Sequence, residues 1–86
     1  MTRYRISIER DALQALSKLD KPIRRRVQTA IDGLADDPRP HGVRALVGQH
    51  GLLRMRVGDY RIVYEVHDNQ LLVLVIDLGH RREIYR

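Results

Sequence analysis

Leu52-Leu-Arg-Met-Arg-Val-Gly-Asp-Tyr-Arg-Ile-Val-Tyr64 decides the fold. The segment reads as two short strands joined at Gly58-Asp59, and a glycine-first pair suits a two-residue hairpin turn. With Val57 and Tyr60 closing the ladder, Arg56 lies directly opposite Arg61. Arg54 shares their face because side chains alternate with period two. Like charges opposed across a sheet are destabilising. Either the long side chains splay apart on a solvated edge face, or an anion bound between them removes the repulsion. A second basic cluster, Gly79-His-Arg-Arg-Glu-Ile-Tyr-Arg86, arrives at the end of the next strand and favours the anion.

Working outward, Tyr4 to Ile8 alternates as a short strand. Glu9 to Leu19 carries Ala12, Leu13, Ala15, Leu16 and Leu19 at helical spacing, with acidic residues at its start. Asp20 is an N-cap for a second helix that tolerates Pro22 in its first turn. Its apolar face holds Ile23, Val27, Ala30, Ile31 and Leu34, and it ends before Asp36-Asp37-Pro38. The two helices form an antiparallel hairpin. Pro38, Pro40, Gly42, Gly48 and Gly51 mark 38–51 as loop, settling around Val43, Leu46 and Val47. Strands are predicted at 52–57, 60–67 and 70–78, and Leu71-Leu-Val-Leu-Val-Ile76 is apolar on both faces, as a central strand should be.

The predicted order is βααβββ. An N-terminal strand and a two-helix hairpin precede a three-stranded antiparallel meander, with the helices on one face of a small, mostly antiparallel sheet, an α+β architecture. Leu53, Met55, Val57, Tyr60, Ile62, Tyr64 and Val66 are assigned to the helix-covered face. Arg54, Arg56, Arg61, Val63 and Glu65 are left lining an open surface or groove.

Composition fits one folded domain over residues 1–86. The chain is 43% hydrophobic and 31% charged, without cysteine, so neither a disulfide framework nor a thiolate metal site is available. No segment approaches the ~18 consecutive apolar residues of a membrane span, and the N-terminus lacks a signal-peptide core, so a cytoplasmic protein is expected. Net charge is +5, and of sixteen Lys and Arg residues only Lys18 and Lys21 are lysine. Arginine's planar fork suits bidentate phosphate contacts, so the expected partner is a polyanion, either nucleic acid or a strongly acidic protein.

Positive groups that hold a phosphodiester and neutralise charge developing in the transition state can support cleavage without a metal. Arg54, Arg56 and Arg61 are placed for this, and Arg81 and Arg82 can reach the same face. Tyr85 offers a ring to stack on a base, plus a hydroxyl. His80 is the only histidine beside the cluster, and imidazole titrates near neutrality. His41, His50 and His67 lack ligand spacing, so no metal site is expected, and no dinucleotide or phosphate-loop fingerprint calls for a cofactor. Arg24-Arg25-Arg26 reads as a solvated helix face. Tyr60 and Tyr64 read as core or partly buried, since they fall on the helix-packing face.

With the hairpin and tail both in view, the chain resembles toxins of the RelE/ParE superfamily from bacterial type II toxin–antitoxin systems. The resemblance runs over nearly the whole length. Its most specific parts are Arg54-x-Arg56-x-Gly58-Asp-Tyr-Arg-Ile-Val-Tyr64 and His80-Arg-Arg-Glu-Ile-Tyr85. RelE-type members are ribosome-dependent endoribonucleases that cut mRNA in the A site through attack of the ribose 2′-hydroxyl on the adjacent phosphate, without metal. The resemblance then implies phosphate-binding roles for Arg54 and Arg56, and catalytic roles for Arg61, Arg81 and Tyr85. ParE-type members poison DNA gyrase instead, and the hairpin alone does not exclude them, although the full basic set with Tyr85 favours RelE. Where some RelE enzymes carry lysines on the second strand, this chain has arginines, which stay protonated and make poor bases. The base is then His80, the Tyr85 hydroxyl, a ribosomal group or water. The implied partners are a cognate antitoxin, in a toxin–antitoxin hetero-oligomer, together with the ribosome and mRNA.

Overall fold

A computed structural model describes residues 3–46, 48 and 51–80. The elements run β1 (Arg5–Ile8), α1 (Arg10–Ser17), α2 (Lys21–Gly33), β2 (Arg44–Ala45), β3 (Leu53–Val57), β4 (Tyr60–His67), a 3-10 turn at Asp68–Gln70 and β5 (Leu72–His80). The predicted α+β order is present, with two additions. The loop after α2 contributes the two-residue strand β2 at the sheet edge, and β1 pairs parallel with β5. The five strands lie in the order β1-β5-β4-β3-β2.

Each helix presents one apolar stripe. Ala12 and Leu16 on α1, and Val27 and Ile31 on α2, recur at i and i+4 and are buried, as core-facing helix positions should be. They close over Ile62, Tyr64, Val73, Val75 and Leu78 of the sheet. Asp20 occupies the N-cap position of α2, with Pro22 in the first turn, as the spacing predicts. Arg24 is partly exposed and Arg25 and Arg26 are exposed, so the triple-arginine run is a helix face turned to water. No helix among the described residues is long and apolar enough to cross a membrane.

The β3–β4 hairpin has the predicted register. Val57 pairs with Tyr60, Arg56 with Arg61 and Arg54 with Val63. Gly58 has φ +59 and Asp59 does not share a positive φ, which matches a turn with glycine first. On β5 the ladder carries a bulge. Val63 faces Asp77 but Tyr64 faces Val75, leaving Ile76 as an extra residue. One extra residue reverses the alternation beyond it. Val73 and Val75 point to the helices before the bulge, and Leu78 and His80 do so after it, while Asp77 and Gly79 turn to the arginine face.

Two polar anchors fix the loop that leads into β2. The buried Tyr64 hydroxyl donates to the Pro38 carbonyl oxygen at 2.8 Å, and burial pushes the phenol up to about 12. Arg39 grips Asp68 with both nitrogens, at 3.1 and 2.9 Å, while the Tyr4 hydroxyl donates to Asp68 Oδ1 at 2.6 Å. Hydrogen bonds from Arg39 and then Tyr4 hold the Asp68 carboxyl down at about 2.

A carboxyl depressed on folding adds stability that is complete above its unfolded pKa, near 4, and is lost as pH falls through its folded value. Asp68→Asn should therefore lower thermal stability by a constant amount above pH 5. Between pH 4 and pH 2 the parent should lose its advantage, so that the two melting curves converge. Melting temperatures recorded across that window check this, and parallel curves would remove Asp68 from the acid transition.

Candidate functional site

The hairpin carries two rows of side chains on the sheet face turned away from the helices. In the first row, Arg44 of β2 pairs with Arg54 of β3, followed by Val63 of β4 and Asp77 of β5. In the second, Arg56 pairs with Arg61, followed by Gly79. Two arginine pairs thus lie directly opposed in adjacent rows, about 7 Å apart along β3 at two residues' rise. They line, with Gly42, a cavity of about 190 Å³. That is below the ~300 Å³ floor of ordinary small-molecule pockets, so the cavity suits a phosphate group rather than a whole nucleotide.

Arg54, Arg56 and Arg61 come together as the hairpin register requires. The face is nevertheless not an open plain. Arg61 is 9% exposed and its Nε is buried, while Val63 beside it is 4% exposed. Arg56 is exposed and Arg54 intermediate. Arg61 therefore forms the floor of a groove, and Arg54 and Arg56 stand at its mouth. The wall comes from the loop after α2, whose turn at Gly42 (φ +93) lets β2 run back along β3. A buried guanidinium keeps its charge, which strengthens its pull on an anion entering a site shielded from water.

Arg44 was missed by reading the sequence, because it lies in a stretch rich in glycine and proline. Its one signal was a single charged residue set between Val43 and Ala45, too short a pattern to stand out. Asp77 was missed because nothing in the sequence announces the bulge at Ile76.

His80 departs from expectation. The bulge pairs it with Tyr60, on the helix-covered face, where the two rings meet edge to face at 5.6 Å and 79°. It lines a cleft with Asp11, Lys18 and Leu19 of the α1 side rather than the arginine cavity. The imidazole and the arginines are thus on opposite sides of the sheet. Arg81, Arg82 and Tyr85 lie outside the described residues.

Comparison with known proteins agrees with this geometry. Residues 6–85 match the family described as the ParE toxin of the type II toxin–antitoxin system parDE. A RelE-like toxin protein of Escherichia coli is 30% identical over 80 residues, covering 92% of this chain and 84% of that protein. The archaeal RelE–RelB complex of Pyrococcus horikoshii OT3 superposes with a TM-score of 0.81 at 34% identity, over 94% of this chain and 97% of that one. The intact E. coli RelBE toxin–antitoxin complex gives a TM-score of 0.78 at 25% identity, over 90% and 95%. The sequence match along nearly its full length, and the shared strand–helix hairpin–sheet framework beneath the arginine groove, make this chain a member of the RelE/ParE superfamily of type II toxins, with its likeness running to the RelE branch.

Proposed function

We propose that this toxin is a ribosome-dependent endoribonuclease that cuts mRNA by 2′-hydroxyl attack and is neutralised by a cognate antitoxin. The observation that carries the reading is the groove built from two in-register arginine pairs, Arg44 with Arg54 and Arg56 with Arg61. Fold alone does not separate the branches of the superfamily, since one scaffold hosts unrelated activities. A cavity that concentrates guanidinium groups around one phosphate does favour phosphodiester chemistry. Arg54 and Arg56 grip the backbone phosphate at the mouth, with Arg44 extending the contact toward the sheet edge. Arg61, on the floor, faces the charge that builds on the phosphorane oxygens. The family resemblance adds Arg81 and Tyr85 as catalytic residues, and the basic tail offers Arg82 as a further backbone contact and the Tyr85 ring for stacking.

The antitoxin part of the reading is supported by the RelE–RelB complexes that share the fold. A partner with acidic side chains would meet a chain of net charge +5 and its groove of arginines. A second reading has its own support, because the matched family is described as ParE toxin. In that case the target is DNA gyrase and no nucleic acid is cut.

Expression without antitoxin should arrest growth with translation stopping before replication, and primer extension should show new 5′ ends within coding regions. Intact mRNA with accumulating gyrase–DNA cleavage complexes would replace the ribonuclease reading with the ParE one. Replacing the ribose 5′ to the cut with 2′-deoxyribose should abolish cleavage on programmed ribosomes, and undiminished cutting there would exclude 2′-hydroxyl attack.

Arg61→Ala should lower the cleavage rate about 10²–10³-fold, the usual effect of losing one donor to a developing charge. Because Arg61 is buried, the alanine variant also leaves a hole. Arg61→Met fills most of that volume without the charge. It should keep the fold by circular dichroism yet show the same rate loss, and full activity in Arg61→Met would contradict the role.

A further inference from the structure

Attack by a 2′-hydroxyl requires a group to take its proton, and the groove's own side chains are arginines. The bulge at Ile76 removes His80 to the other side of the sheet and brings Asp77 to this one. Among the described residues, three titratable groups other than arginine lie on the hairpin's groove-side face or its β5 continuation: Glu65, His67 and Asp77. Glu65 and His67 bind each other at 3.0 Å and sit four and six residues beyond Arg61 on β4, some 13 Å or more away by strand rise. Asp77 is much closer. It stands one strand over from Arg61, diagonal to it at the ~7–8 Å Cα spacing of such neighbours. It also closes the row that begins with Arg44 and Arg54. The carboxylate is exposed, and Oδ1 accepts the Leu78 N–H at 2.8 Å, which orients Oδ2 for a second partner.

We propose that Asp77 is the general base of the cleavage reaction, an inference that rests on the ribonuclease reading above. The 2′-hydroxyl proton passes to the Asp77 carboxylate as the O2′–P bond forms. The P–O5′ bond breaks, giving a 2′,3′-cyclic phosphate. The departing O5′ takes a proton from water, and Asp77 returns its own to the hydroxide left behind. A carboxylate on a surface that must bind a polyanion weakens that binding by like-charge repulsion. Its presence on the same sheet face as the arginines, just outside the cavity lining, is unfavourable for affinity alone and is accounted for by proton transfer. The opposed effects on rate and affinity give the assignment its signature.

The test is single-turnover cleavage of mRNA on programmed ribosomes, with toxin–ribosome affinity measured in parallel. Asp77→Asn should slow cleavage by about 10²–10⁴, the range for removing a general base. Affinity should be unchanged or tighter. Asp77→Glu should retain measurable cleavage, and added formate should accelerate Asp77→Ala in a concentration-dependent way, since a small carboxylate can enter the space left behind. All three variants should fold like the parent, because the side chain is exposed. An Asp77→Asn rate within a few-fold of the parent overturns the assignment and leaves the ribonuclease reading standing. So does a loss matched by weaker binding, or a formate-insensitive Asp77→Ala. A parent toxin that leaves mRNA intact on the ribosome overturns both.

Discussion

The constraint on which the rest depends is the register of the β3–β4 hairpin. Ile62 and Tyr64 are fully buried against the helices, and side chains on a strand alternate. A slip of one residue would carry Arg61 and Val63 into the helix-covered core and expose the residues that hold it together. Burying one large apolar side chain is worth about 1.5–3 kcal/mol. A like-charged cross-strand pair costs only a fraction of that, on the order of 0.2–1 kcal/mol. The core therefore wins, and it holds two arginine pairs face to face against their repulsion. What is unfavourable for the folded chain alone is what the proposed phosphate contact would relieve.

Two further features complete the site from a distance. The loop after α2 is tied down at its start by Tyr64 to Pro38 and by the Arg39–Asp68–Tyr4 cluster, so β2 arrives at the edge of β3 with Arg44 opposite Arg54. One bulged residue on β5 then decides which side chains join the arginines. It selects Asp77 and turns His80 toward Tyr60. In the proposed mechanism, proton transfer and phosphate binding then fall to different strands of one sheet face.

The hairpin was legible because Gly58-Asp59 names its turn and alternation does the rest, and the helices were legible from Ala12 and Leu16, Val27 and Ile31 at i and i+4. The two-residue β2 was not, since Arg44 and Ala45 pair only because the loop is anchored elsewhere. The Arg39–Asp68 pair joins residues far apart in sequence, and no local pattern foretells it. The burial of Arg61 was missed because alternation gives a residue's face but not what is built over it. His80 lies beside the basic tail in sequence, but the extra residue at Ile76, which nothing in the sequence marks, pairs it with Tyr60 on the helix-covered face. The juxtaposition of Arg54, Arg56 and Arg61 was thus readable from the chain, while the placement of Asp77 on their face required the structure.

Repulsion stored in the Arg56–Arg61 pair is most directly measured by thermal unfolding of the parent and of Arg56→Gln, in sodium chloride and in sodium phosphate at equal ionic strength. Arg56 is exposed, so the substitution leaves the core untouched. In chloride the Arg56→Gln protein should melt at the higher temperature. In phosphate the parent should gain more than the variant and close the gap, because the anion occupies the groove between the arginines. A variant less stable than the parent in chloride, or equal gains for both proteins in phosphate, would contradict a hairpin that holds its charges apart for an anion to bridge.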